Sequence, residues 1–137
     1  MAANTPLTRP ELIVRVCLVL TTVIIIAGSG LQIVQGAKSG DATADHIHRF
    51  MAGIYIGWAP LFAWTAATIR SQGVLVYLLA VPILLGFAGR MLSIALNGLP
   101  IRPAEFLSFA ALEFILGCVI IWAQSAVLRE RQVRVAA

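Results

Sequence analysis

Charged residues are scarce in this sequence. Asp, Glu, Lys and Arg together make up 12% of the 137 residues, about half the share found in soluble globular domains, whereas apolar residues make up 60%. A soluble domain cannot hide so much apolar surface from water, and the excess therefore indicates a membrane protein. The chain lacks a low-complexity tail and a solenoid repeat, so we predict one domain over residues 1–137.

Cysteines and catalytic motifs are also few. Cys17 and Cys118 lie in apolar stretches without a CxxC spacing, which predicts neither a disulfide framework nor a dithiol redox site. A nucleophile elbow, a phosphate-binding glycine loop and a paired Glu and His on one apolar stretch are all missing from the sequence. We therefore expect no cofactor and favour a non-enzymatic protein.

Four apolar stretches of about 20 residues recur along the chain, the length that crosses a ~30 Å hydrocarbon core as a helix. The predicted spans are residues 12–34, 50–69, 74–96 and 104–127. The first is longer than the apolar part of a signal peptide and is not followed by a small-residue cleavage site, so we predict that it is retained. The fold class is therefore all-α, a four-helix bundle in a membrane.

The connections and prolines follow from the same pattern. We predict a polar loop at residues 36–45, a tight turn at 70–73 and a Gly/Pro turn at 97–103. Pro60 and Pro82 lie inside two of the spans, where membrane helices tolerate proline, and kinks are expected there instead of breaks.

Arginines and lysines are distributed unequally between the two sides of the predicted bundle. Six lie on the side of the chain termini: Arg9, Arg15, Arg70, Arg129, Arg131 and Arg134. Three lie on the other: Lys38, Arg49 and Arg102. Since cytoplasmic flanks carry the excess of positive charge, both termini are predicted to be cytoplasmic, in a bacterial inner membrane. Arginines at span ends are orientation signals, so we expect no nucleic-acid partner.

Two ionisable residues lie deep inside predicted spans. Arg90 is seven residues, or ~10 Å, before the outer end of span three, and Glu113 is nine residues, or ~13 Å, past the outer start of span four. A short turn makes these spans antiparallel neighbours, so the two side chains lie at matching depth. They are either an ion pair that fixes how the helices dock or part of a functional site, and the sequence leaves both open.

Other polar and small residues align with this pair. Gly86, Arg90, Ser93 and Asn97 form one stripe on span three at helical spacing. Gly53 and Gly57 form a GxxxG on span two, and with Gly86 they are predicted to serve helix packing. The predicted polar cluster occupies the outer half of the bundle and lines an outward-facing cavity: Gln32, Arg49, Arg90, Ser93, Asn97, Glu105 and Glu113.

The loop before span two carries two histidines and two aspartates: Asp41, Asp45, His46 and His48. Imidazole and carboxylate groups suit several divalent ions, but the spacing fits no established metal motif. A solvated cap at the start of the span, with Asp45 near its N-terminus, explains the same residues. We favour the cap and predict no metal site.

Three segments carry a resemblance to a known family. They read HRFMAGIYIGWAP at the start of span two, GFAGRMLSIALNGLP through span three and ALEFIL in span four. They resemble a bacterial four-span family known only as domain of unknown function 4345. The positions that match its pattern are Arg49, Gly53, Gly57, Arg90, Ser93, Gly98, Pro100 and Glu113. His46 departs from it, since an amide side chain is expected there. The resemblance implies a four-helix membrane bundle and no activity.

Three classes of function stay open. The leading hypothesis is a non-enzymatic accessory subunit, or a binder of a lipid-like small molecule in the outer-leaflet cavity, with membrane lipid and an unidentified protein as partners. A small proton-coupled transporter using Glu113 is the alternative, and an enzyme using Glu113 or Glu105 as acid or base is third. The apolar outer surfaces face lipid comfortably, so a monomer is feasible.

Overall fold

The computed structural model describes residues 6–37, 40–100 and 103–136. These residues form four long α-helices and a short 3-10 turn, Ile69–Ser71. The helices are α1 (Arg9–Gln35), α2 (Ala42–Ala67), α3 (Val74–Asn97) and α4 (Pro103–Ala136). All four are long and apolar enough to cross a membrane, which confirms the predicted all-α, four-span architecture.

Capping residues decide where the first two helices begin. Thr8 and Glu11 form a capping box at the start of α1, each side chain bonding the other's backbone N–H. Asp41 accepts from the backbone N–H groups of Thr43 and Ala44, so α2 begins at Ala42, eight residues before the predicted span. The polar loop before α2 is therefore shorter than the predicted range, residues 36–45.

The remaining connections agree with the sequence pattern. The tight turn between α2 and α3 contains the 3-10 turn, and both α2 and α3 continue through Pro60 and Pro82 without a break. Helix α4 extends nine residues past its predicted span, to Ala136. Two of the basic residues on which the predicted membrane orientation depends, Lys38 and Arg102, lie outside the described residues. Part of the predicted turn at 97–103 also lies outside them.

The helices form two hairpins. Helix α1 packs along α2, α3 packs along α4, and α1 joins the hairpins by packing against α4, while α2 barely touches α3. Arg131 of α4 donates from Nη2 to Glu11 Oε1 of α1 at 3.2 Å, so both terminal segments lie at one end of the molecule. We call this the terminal end, and the opposite end, with the α1–α2 and α3–α4 connections, the loop end.

The hydrophobic core formed by the described residues lies in the half of the bundle near the terminal end. Its buried members are Val14, Cys17, Leu18, Phe62, Ala66, Ile69, Val76, Leu79, Ala80, Leu116, Ile120, Ala123 and Val127. The loop half comprises residues 23–37, 40–55, 86–100 and 103–115. Among its described residues only small ones are buried, namely Ser29, Gly36, Ala52 and Ala110. Among the described residues, the large apolar side chains that are fully buried between the helices therefore lie in the terminal half.

Candidate functional site

Arg90 and Glu113 form an ion pair between α3 and α4. Arg90 Nε donates to Glu113 Oε2 at 2.9 Å. The two side chains remain 32% and 27% exposed, although they lie well inside apolar helices. The prediction that residues at matching depth would pair is confirmed. The pair lies in the loop half near its border with the terminal half, and Glu113 is one helical turn from the buried core residue Leu116.

Small and aromatic neighbours hold this pair in place. Gly86 faces the Glu113 carboxylate, and a Cβ at position 86 would be in ordinary van der Waals contact with it, at 3.6 Å. The Arg90 guanidinium lies over the Phe106 ring, 5.0 Å from its centroid, within cation–π range. The rings of Phe87 and Phe114 also meet, with centroids 5.0 Å apart. The packing role of Gly86 stays a prediction.

The terminal groups of Arg90 are left available. The hydrogen bond from Arg90 to Glu113 uses only Nε, and Nη1 and Nη2 of Arg90 bond to no residue that the structure describes. Glu113 Oε1 likewise makes no hydrogen bond within the described residues. The pair can thus offer both donors and an acceptor to a third molecule.

Arg49 lies apart from this pair, at the α1–α2 corner. Its Nε donates to Asp45 Oδ2 at 2.9 Å, and its Nη1 donates to the carbonyl oxygen of Ile33 near the end of α1. Asp45 Oδ1 accepts from the backbone N–H of Ala37 at 2.8 Å. Arg49 therefore places positive charge at the C-terminus of α1, where it is favourable. No hydrogen bond or ion pair among the described residues links it to Arg90, so the predicted cluster is divided in two.

Gly36 makes this corner possible. Its φ is +64°, a conformation that glycine adopts readily, and its N–H donates to the Gln32 carbonyl at 3.0 Å to end α1. A Cβ at position 36 would overlap Asp45 Oδ1 and lie 2.6 Å from Arg49 Nη2.

The GxxxG of α2 faces away from the rest of the chain. Gly53 and Gly57 are exposed, and a Cβ at either position would meet no atom of another described element within 4 Å. The prediction that they pack helices within this chain is therefore wrong. Ala52 and Ala59, seven residues apart, are buried instead, at 0% and 3% exposure. They turn a neighbouring face of α2 inward, which leaves the glycine face outward.

The other predicted site residues lie around the loop half. Gln32 is half-buried on α1, while Ser93, Asn97 and Glu105 are exposed. Asn97 Nδ2 donates to the Ser93 carbonyl at 3.3 Å, and the Glu105 carbonyl accepts from Ser108 Oγ at 2.7 Å. None of these side chains is hydrogen-bonded to Arg90 or Glu113. These residues were predicted to line an outward-facing cavity together with Arg90 and Glu113. Hydrogen bonds among the described residues do not join them into such a site.

The two aspartates at the start of α2 bind nearby backbone N–H groups. Asp41 is the N-cap of α2, and Asp45 pairs with Arg49 and binds the Ala37 N–H, which fits the solvated-cap interpretation. His46 is exposed and His48 half-buried. Over the described ranges, no three His, Cys, Asp or Glu side chains are grouped as a metal would need.

Polar contacts at the terminal end were missed from the sequence. Arg131 Nη1 donates to the Gln72 carbonyl at 2.8 Å, and its Nη2 donates to the Ile69 carbonyl as well as to Glu11. This arginine therefore ties α1, the 3-10 turn and α4 together. The sequence does contain one signal for this contact. Arg131 and Glu11 carry opposite charges, and they lie near the same end of two antiparallel helices, α4 and α1.

Two more polar contacts join α4 to α3 and its preceding turn. Gln124 is fully buried and donates from Nε2 to the Gly73 carbonyl at 3.1 Å. The hydroxyls of Tyr77 and Ser125 are 2.8 Å apart and hydrogen-bonded. Both contacts lie in the terminal half, away from Arg90 and Glu113.

Comparisons with known proteins give one match. Residues 12–124 match the family model described as Domain of unknown function (DUF4345). No curated protein and no solved structure matches the chain. The match includes the pair Arg90 and Glu113 and most of all four helices. The chain therefore belongs to the family described as domain of unknown function 4345.

Proposed function

We propose that this chain is a non-enzymatic membrane protein that binds a lipid-like small molecule beside Arg90 and Glu113. The observation that carries the proposal is the partial exposure of this pair, 32% and 27%, in the middle of two apolar helices. A purely structural ion pair in hydrocarbon is best covered on all sides, because exposure to lipid leaves polar atoms unsatisfied. A polar ligand group would satisfy them.

The chemistry of the pair defines the polar head of the ligand. Nη1 and Nη2 of Arg90 can donate, and Oε1 of Glu113 can accept. The pair is neutral as a whole, so a net negative head would be repelled by the carboxylate as much as it is attracted by the guanidinium. An uncharged head that accepts and donates hydrogen bonds, such as a hydroxyl, ester or amide, fits best.

The loop half offers apolar surface for the rest of the ligand. It buries no large apolar side chain among its described residues, and Leu92, Leu107 and Phe109 are exposed along its parts of α3 and α4. A molecule with an apolar body can cover such surface while its head reaches Arg90. We propose that this surface faces the outer leaflet of a bacterial cytoplasmic membrane, with both termini cytoplasmic.

The test is to identify what the chain carries. The protein is purified in mild detergent, extracted with organic solvent and analysed by mass spectrometry. The wild type should retain a small molecule that the Arg90→Leu/Glu113→Leu double variant loses. The matched control is Tyr77→Phe/Ser125→Ala, which removes another polar contact between α3 and α4 and should retain the molecule.

Other results would point elsewhere. Equal retention by the wild type and by both double variants would contradict binding at the pair. Proton-coupled flux in proteoliposomes that Glu113→Gln abolishes would favour the transporter alternative.

The second candidate function is an accessory subunit, and the outward glycine face of α2 favours it. Small residues allow a second helix to approach closely, and no neighbouring atom of the described residues lies within 4 Å of a Cβ placed at Gly53 or Gly57. Gly53→Ile/Gly57→Ile should release a co-purifying membrane partner without lowering the folded yield. Gly28→Ile is the control, since Gly28 on α1 is also exposed with open space. A partner retained by both variants would contradict this candidate.

A further inference from the structure

A groove runs between α1 and α2 in the terminal half, on the surface of the bundle. It consists of two adjoining cavities of about 380 and 200 Å³, which share Arg15 and Ala67 as lining residues. The small side chains Ala63, Ala66 and Ala67 of α2 line it, which is why a groove exists between two packed helices. Neither Arg90 nor Glu113 lines it.

Positive charge marks the end of the groove nearest the chain termini. Arg15 and Arg70 both line the larger cavity. No acidic side chain is among the described residues that line either cavity. This end of the groove is therefore complementary to an anionic group.

Arg15 is available to bind such a group. The acid nearest to it on α1 is Glu11, one turn earlier, but Glu11 already binds the Thr8 N–H and the Arg131 guanidinium. Arg15 itself is exposed and makes no hydrogen bond or ion pair with any residue that the structure describes. A guanidinium presents paired donors that match a phosphate.

The other end of the groove is apolar. Val19, Val23 and Ala63 line the smaller cavity. Thr22 also lines it, but its hydroxyl donates to the Leu18 carbonyl at 2.8 Å and so offers no donor to a ligand. From Arg15 to Val23 this surface extends ~12 Å along α1, in the direction of the loop end.

We propose that this groove binds an anionic glycerophospholipid from the leaflet on the terminal side. Its phosphate binds the Arg15 guanidinium, Arg70 adds positive charge at the same end of the groove, and one acyl chain follows Val19, Val23 and Ala63 toward the membrane centre. Arg15 lies ~6 Å deeper along α1 than Glu11, so its long side chain reaches back toward the interface, where lipid phosphates lie. Basic pockets between helices at an interface recognise anionic lipid heads in this way. The site is distinct from the one proposed at Arg90 and does not depend on it.

The experiment uses the full chain in mild detergent, titrated with equal amounts of phosphatidylglycerol and phosphatidylcholine of identical acyl chains. Native mass spectrometry counts the bound lipid of each kind. The wild type should prefer phosphatidylglycerol, and Arg15→Gln/Arg70→Gln should reduce that preference by about fivefold per arginine. The control Arg129→Gln/Arg134→Gln removes the same charge from arginines at the same end that do not line the groove, and it should keep the preference.

A second variant tests the apolar part. Ala63→Leu fills the smaller cavity and should weaken binding of both lipids, while glycerol 1-phosphate, which has the head without the tail, should not compete. The proposal is overturned by an equal loss in both arginine double variants, by competition from glycerol 1-phosphate, or by the absence of a preference in the wild type. The two proposals can fail independently. A variant that loses phosphatidylglycerol binding but keeps the small molecule at Arg90, or the reverse, distinguishes this proposal from the proposed function.

Discussion

Gly117 of α4 lies directly against Leu84 of α3. A Cβ at position 117 would lie 2.5 Å from Leu84 Cδ2 and 2.6 Å from its Cγ, too close for the leucine to stay in place. Gly117 is buried, one residue from the core member Leu116. The α3–α4 hairpin therefore depends on the absence of a side chain at this position.

Gly117→Ala should destabilise the protein by about 1 to 3 kcal/mol, because a tightly packed site must rearrange to admit a methyl group. Gly53→Ala and Gly57→Ala are the controls, since each has open space around it and alanine favours helix. Thermal unfolding in detergent measures all three. Adding Leu84→Ala to Gly117→Ala should recover part of the loss, and an unchanged melting temperature in the single variant would refute the close packing.

Arg90 and Glu113 should behave as one coupled unit. Arg90→Leu or Glu113→Leu alone leaves a charge without its partner in hydrocarbon, at a cost of at least ~2.5 to 3.5 kcal/mol on insertion scales. Each single variant should therefore lower the folded yield, and the double Leu variant should recover part of it. Size-exclusion chromatography of equal expression cultures gives the yields. Additive losses would mean that the observed pair contributes no coupling.

The α1–α2 corner should not tolerate a side chain at position 36. Gly36→Ala introduces both an unfavourable positive φ and an overlap with Asp45, whereas Gly40→Ala introduces a positive φ of +71° in open space. The melting temperature should fall more for Gly36→Ala than for Gly40→Ala. Equal decreases would show that the Asp45 and Arg49 contacts add nothing to the corner.

Membrane orientation can be measured directly. Reporter fusions after Lys38 or Arg102 should read as exported, because six arginines lie on the side of the termini against three basic residues on the other. Fusions within residues 70–73 and at the C-terminus should read as cytoplasmic. Cytoplasmic readings after both Lys38 and Arg102 would reverse the proposed topology.

Hydropathy and helical spacing were sufficient to predict the four helices and the contact between Arg90 and Glu113. Both depend on distance along a helix axis, which α-helix geometry sets at ~1.5 Å per residue whatever the sequence. The role of Arg49 could not be predicted this way. It depends on which side of α2 turns toward the end of α1, and the buried residues Ala52 and Ala59 decide that rotation.

The outward position of Gly53 and Gly57 has the same cause. A GxxxG permits close approach of a helix but does not specify which helix approaches. The contacts of Arg131 were missed for a different reason, because its positive charge was counted only toward orientation. Its three acceptors come from α1 and from the turn after α2, more than 50 residues away in the sequence.

Among the described residues, the large buried side chains are confined to the terminal half, and this arrangement defines a route by which the proposed ligand would reach Arg90 and Glu113. No large apolar side chain is buried among the described residues of the loop half, so entry of the proposed ligand from the side, out of the lipid, would require no disruption of the core. A ligand that follows this route must first dissolve in the bilayer. Its effective concentration at the site is then set by its partition coefficient into the membrane and not by its solubility in water.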